Sequence, residues 1–119
     1  MSTSIPTYQK ALTEMRSYRT FKHRMDEALI AFDVSTVEWT LLGILYKEHT
    51  ECIRLSDAAE ELGVEASFIT VIFNKLKKRG LVESRPDLHD SRAKRICVTT
   101  AGKKFVARVE AALSKVFTQ

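Results

Sequence analysis

Between Leu55 and Ile72 the chain holds a spacing that few folds accommodate. Counting Leu55 as first, alanines take the fourth and fifth places (Ala58, Ala59), Leu62 the eighth, Gly63 the ninth, Val64 the tenth, Ile69 the fifteenth and Ile72 the eighteenth. The pattern predicts a short helix, Asp57 to Leu62, capped by Ser56 and stopped by Gly63 in a left-handed position. A second helix follows from Ala66 to Arg79, burying Ile69, Ile72, Phe73 and Leu76 and ending in cations that suit its negative pole before Gly80. Two helices joined so tightly cross near a right angle, which requires a small residue where the backbones approach and a glycine in the turn.

The flanking segments are expected to build on this pair. Leu81 to Arg85 and Arg95 to Thr99 read as strands around a long polar tip, Pro86 to Lys94, and Ile53 to Leu55 as a short extended piece. Upstream, Tyr8, Leu12, Met15, Tyr18, Phe21, Met25, Leu29 and Phe32 recur at steps of three and four, which predicts one amphipathic helix from Pro6 to Phe32. Such a helix would reach roughly 35 to 40 Å, more than the rest of a small domain covers, so part of its stripe is expected to meet another chain. Ser35 followed by Glu38 reads as a capping box opening a helix to Lys47, within which Gly43 suggests close packing. Thr100 is expected to cap a last helix through Phe105, Val109, Ala112, Leu113 and Val116. The expected fold class is mainly α with a small β-hairpin. A single domain, 1–119, is expected to comprise a long helix over 6–32, the central unit over 35–99 and a C-terminal helix over 100–117.

Composition narrows the function. Of 119 residues, 45% are hydrophobic, enough for one core, while 29% are charged and the longest apolar stretch, Leu41 to Tyr46, is interrupted by Gly43. No membrane span and no secretory signal are expected, and a cytoplasmic protein is. The net charge of +4 is unevenly placed: Lys75 to Arg95 holds eight cations and three acids, so the remainder is close to neutral. A concentrated positive segment in a compact fold is how a phosphate-facing surface shows in sequence. Cys52 and Cys97 lie far apart in a chain able to hold a core without staples, so a disulfide is not expected, and Cys97 reads as a small buried hydrophobe. Neither cysteine lies near the start of the first helix, so redox sensing is not expected. His49 and Cys52 would supply half a metal site with no second pair of ligands. No phosphate-cradling glycine loop or nucleophile motif accompanies His23, His49 and His89, so neither enzyme activity, metal nor cofactor is expected. Phe32, Trp39 and Tyr46 are candidates to line a ligand pocket.

A helix-turn-helix followed by a basic hairpin makes a winged helix-turn-helix, in which the second helix enters the major groove and the hairpin reaches a flanking backbone or minor groove. At Leu55-Ser-Asp-Ala-Ala-Glu-Glu-Leu-Gly-Val64, Leu76-Lys-Lys-Arg-Gly-Leu-Val82 and Asp90-Ser-Arg-Ala-Lys-Arg-Ile-Cys-Val-Thr99 with Gly102, the chain resembles the MarR-type bacterial transcription regulators. The resemblance covers about residues 6–117. It implies a homodimer, held by the N- and C-terminal helices, that binds double-stranded DNA as a regulator, most often a repressor, and is released by small aromatic effectors or oxidation. It places Ser67, Phe68, Thr70, Val71, Asn74, Lys75 and Lys78 on the recognition helix. It puts Arg85, His89, Asp90, Ser91, Arg92, Lys94 and Arg95 on the wing, with Asp90 bracing Arg92. Tyr8, Leu12, Met15, Val109, Leu113 and Val116 are assigned to dimerisation. Two positions depart from the family: Val71 stands where an arginine is common and Phe68 where a small hydroxyl residue is usual, so bidentate guanine readout from that helix is missing. Measured against the usual family length the C-terminus is about a helix short, so the first helix is expected to carry more of the interface. The alternative is a protein-interaction module that has lost operator reading and binds a partner through Phe68 and Val71.

Overall fold

The computed structural model describes residues 6–48, 52–90 and 92–117. Among the described residues five α-helices and three strands follow one another: α1 (Thr7–Leu29), a 3-10 turn (Ile30–Phe32), α2 (Thr36–Lys47), β1 (Ile53–Arg54), α3 (Leu55–Leu62), α4 (Ala66–Lys78), β2 (Val82–Pro86), β3 (Lys94–Val98) and α5 (Thr100–Val116). The chain separates into two compact units, one ending at Thr36 and the other starting at Val37. Among the described residues no single helix is long and apolar enough to cross a membrane.

The first unit is essentially α1 and its exit. Its predicted stripe divides by position: Met25 and Leu29 are buried, whereas Tyr8, Leu12, Met15, Tyr18 and Phe21 are exposed. The helix ends at Leu29 and tightens into the 3-10 turn, after which Asp33 adopts a left-handed backbone with φ 56°. A carboxylate secures the exit. Asp26 Oδ1 accepts from the Thr36 backbone N–H at 2.9 Å and from the Thr36 hydroxyl at 2.6 Å, and Oδ2 accepts from Lys22 Nζ at 2.8 Å. The Lys22 ammonium and the Thr36 donors stabilise the ionised form and hold the Asp26 carboxyl down at about 2.

The second unit is built on a three-stranded antiparallel sheet in the order β1-β3-β2. The hairpin register pairs Val82 with Val98, Ser84 with Ile96 and Pro86 with Lys94, so Val82 and Ile96 bury their side chains while Arg85 stays exposed. The extended piece before α3 is a strand in its own right, pairing Ile53 with Ile96 and Arg54 with Arg95. Helix α4 buries the predicted Ile69, Ile72, Phe73 and Leu76, and α3 buries Ala58 and Ala59, the small residues expected at the helix crossing. Gly63 takes φ 68° at the end of α3, a backbone that an L side chain resists. Gly102 serves differently: a Cβ there would collide with the Leu81 carbonyl oxygen and approach Val98 Cγ2 at 2.6 Å, so only glycine lets α5 start against the strand that precedes it.

Several expectations are corrected. Helix α3 begins at Leu55, one residue before Ser56, so the N-cap is Arg54, which makes no side-chain cap bond. Pairing of β1 with β3 sets where extended backbone gives way to helix, and Ser56 is left inside the first turn. The α5 cap is Thr99 rather than Thr100: Thr99 Oγ1 accepts from the Gly102 N–H at 2.9 Å and donates to the Gly80 carbonyl at 2.6 Å. Gly43 has nothing within 4 Å of an added Cβ, and nothing in the structure explains it. Cys52 and Cys97 form a disulfide, with Cα atoms 4.6 Å apart, against the expectation of free thiols. Continuing the Ile53–Ile96 register by one residue sets position 52 opposite 97, so the 45 intervening residues do not keep them apart. Cys97 is buried as expected, though as half of a bridge.

Candidate nucleic-acid interface

Helix α4 presents Ser67, Phe68, Thr70, Val71, Asn74, Lys75 and Lys78 on its exposed side, because Ile69, Ile72, Phe73 and Leu76 occupy the opposite stripe. Two are committed internally. The Thr70 hydroxyl donates to the Ala66 carbonyl at 3.0 Å, which leaves its lone pairs and methyl to a partner. Lys75 Nζ lies 3.2 Å from Glu38 Oε2, and the Glu38 side chain is buried, so this cation balances a carboxylate inside the fold. The solvent-facing centre of the helix is therefore uncharged, with Phe68 and Val71 43% and 57% exposed.

The wing holds the charge, and its tip is a built turn. Asp87 Oδ1 accepts from the backbone N–H groups of His89, at 2.8 Å, and Asp90, at 3.2 Å. Its Oδ2 accepts from Arg54 Nε at 2.7 Å. The Arg54 guanidinium and these backbone donors hold the Asp87 carboxyl at about 2, and the Asp87 carboxylate in turn raises the pKa of Arg54. Asp90 in turn accepts from the Arg92 backbone N–H at 2.9 Å, and its Oδ1 lies 3.7 Å from Arg92 Nε, the bracing expected of this pair. The Arg92 side chain remains 94% exposed. Arg85 is exposed beside Glu83, Nη2 to Oε1 2.8 Å, and Lys94 and His89 are exposed as well. Arg95 is placed otherwise. Its Nη2 donates to the Cys52 carbonyl at 2.8 Å and the residue is half-buried, so it supports the sheet from within. Ser91 and His49 lie outside the described residues.

Two participants were not read from the sequence. Arg54 precedes Asp87 by 33 residues, and no local spacing connects them; the pairing of β1 with β3 does. Leu88 stands at the apex of the Asp87 turn, 81% exposed, and the polar run around it gave no reason to single it out. Between wing and helices, Arg54, Leu55, Ser56, Ala66, Ile69, Thr70, Ala93 and Lys94 enclose a cleft of about 260 Å³. Phe32, Trp39 and Tyr46 are each half-buried.

The dimerisation set also divides. Tyr8, Leu12, Met15 and Val116 are exposed, but Val109 and Leu113 are buried within the chain itself and belong to its core, because α5 turns that stripe inward.

Comparison with known proteins agrees with this architecture. A MarR family model matches residues 32–93. The transcriptional regulator PrsX of Escherichia coli, described as HTH-type, is 27% identical over 100 residues, covering 84% of this chain and 60% of PrsX. The chain thus spans less than two thirds of that curated relative. MepR of S. aureus in its DNA-binding conformation superposes with a TM-score of 0.79 at 26% identity, over 93% of this chain and 80% of MepR. The S. aureus MepR–DNA complex matches with a TM-score of 0.70 at 25% identity, over 91% and 86% of the two chains. These relatives are regulators rather than enzymes, and with the family model covering more than half of its residues the chain belongs to the MarR family, with the winged-helix fold of its solved members.

Proposed function

We propose that the chain binds double-stranded DNA as a homodimeric, sequence-preferring transcription regulator, acting in the cytoplasm as a repressor. The observation that carries this reading is the wing: Arg85, Arg92 and Lys94 stand exposed along a hairpin whose tip is locked by Asp87, Asp90 and Arg54. A rigid cationic hairpin pays little ordering entropy when it meets a phosphate backbone. Helix α4 offers Ser67, Asn74 and the Thr70 acceptor to base edges and Phe68 and Val71 to thymine methyls, a readout that favours some sequences without bidentate guanine contacts. The MepR–DNA complex, similar in fold, supports the same use of these elements.

The exposed stripe of α1 supplies the reason for two copies. Two half-sites on one face of B-DNA lie about 10 base pairs apart and need two recognition helices in one particle. Release by a small aromatic effector is part of the proposal on family grounds. The test is duplex affinity as a function of salt: log affinity is expected to fall linearly with log salt at about −0.9 per neutralised phosphate. Affinity that is flat across salt, or absent, overturns the reading in favour of a protein partner at Phe68 and Val71.

A further inference from the structure

An isolated leucine on a protein surface carries no meaning by itself, but the setting of Leu88 does. It is 81% exposed, and among the described residues no large apolar side chain is more so. It stands beyond the last rung of the hairpin ladder, Pro86 with Lys94. The turn there is closed by backbone as well as by side chains: the Asp87 N–H donates to the Ala93 carbonyl at 3.3 Å, and the Ala93 N–H to the Asp90 carbonyl at 3.0 Å. Asp87, its side chain 6% exposed, is tied to Arg54, and Asp90 is paired with Arg92. Both acids of the tip are thus balanced by an arginine. What the tip leaves in solvent is Leu88, His89 and the cations Arg85, Arg92 and Lys94 of the same hairpin.

We propose that Leu88 is an apolar wedge for the minor groove: it enters at one base step beside each half-site, partly unstacks that step and bends the duplex. It thereby adds a preference for easily deformed sequence to whatever α4 reads. This rests on the DNA-binding reading above. The minor groove is about 6 Å wide and its floor offers mainly acceptors, to which an isobutyl group can donate nothing. A leucine delivered there gains only by packing on base faces, and these are uncovered when a step opens. Two features of the hairpin serve that act. The exposed cations hold the phosphates that line the groove, and the locked turn keeps the tip from yielding when it meets the stack. Opening a step costs least at pyrimidine–purine steps such as TA and most in stiff A-tracts, so the wedge discriminates between sequences without a hydrogen bond to any base.

The probes are two duplexes of about 30 base pairs, an alternating d(TA) repeat and a d(A)·d(T) tract, equal in charge and base composition but opposite in stiffness. Their affinities for the whole chain are compared with those for Leu88→Ala and Leu88→Met at low salt. The ratio of alternating to tract affinity is expected to fall by about tenfold in Leu88→Ala and to be kept in Leu88→Met. With 2-aminopurine in place of adenine at the TA steps, the parent chain and Leu88→Met should brighten the alternating duplex, and Leu88→Ala should not. The salt slope should be the same in all three, because the wedge carries no charge. A lower slope in Leu88→Ala would show that truncation had loosened the tip and its cations, a structural role that overturns the proposal. An unchanged affinity ratio, or 2-aminopurine that stays dark with the parent chain, overturns the wedge while measurable affinity leaves the DNA-binding reading standing. Absence of affinity for both duplexes removes that reading and the wedge together.

Discussion

Helices α1 and α4 both leave large apolar side chains in solvent, yet they do so differently. On α1 the exposed residues Tyr8, Leu12, Met15, Tyr18 and Phe21 succeed one another at helical spacing, an apolar stripe along a 23-residue helix. On α4, Phe68 and Val71 form one short apolar pair bordered by Ser67, Thr70 and Asn74, and a cationic wing follows. A continuous stripe is matched by another apolar surface, because only such a surface removes all of it from water. A short one, with hydroxyl and amide groups bordering it, suits the edges of bases, which alternate polar and apolar groups. The contrast teaches that exposure alone does not identify a partner; the pattern of polar groups within the exposed face does.

The largest expected effect comes from breaking the α1 stripe. Charging it with Leu12→Asp and Met15→Asp should leave the fold intact, since both side chains are exposed, but convert a dimer to a monomer in sedimentation equilibrium. Loss of the second half-site contact should lower duplex affinity by about 100-fold. A dimer that survives both charges would show that the stripe is not the interface. Next in size is Arg92→Ala, which should weaken binding to every sequence alike and reduce the salt slope by about 0.9. A changed sequence preference would move Arg92 from backbone positioning to base reading. On α4, Asn74→Ala should do the opposite, costing about 1 kcal/mol of discrimination at one base pair with little change in salt slope, as competition between operator variants would reveal.

The smallest effect is an acid one, and it touches both units. Asp26 and Asp87 each have a folded pKa near 2, below the ordinary carboxylate value of 3.8. A depressed pKa stabilises the fold above the unfolded value and loses that contribution as pH falls through the folded one. Stability should therefore be level from neutral pH to about 4.5 and decline between about 4 and 2. Asp26→Asn should flatten part of that decline in urea titrations at stepped pH. If the variant and the parent respond equally to acid, the Thr36 and Lys22 contacts do not set the Asp26 titration.

The residues themselves determined the element order, the buried stripe of α4, the left-handed Gly63, the wing with its Asp90–Arg92 brace and the family resemblance. Each is written in helical and strand periods, turn residues and short contiguous motifs, where the local chain acts directly. Only tertiary structure decided the cap at Thr99, the strand that displaces Ser56 from a capping role, the inward turn of Val109 and Leu113, the commitment of Lys75 to Glu38 and the Arg54–Asp87 clamp. It also brought Cys52 against Cys97. These partners are separated by tens of residues or by a choice between adjacent candidates. What selects among them is sheet register and the need to pair buried polar groups, and both arise only when distant segments meet.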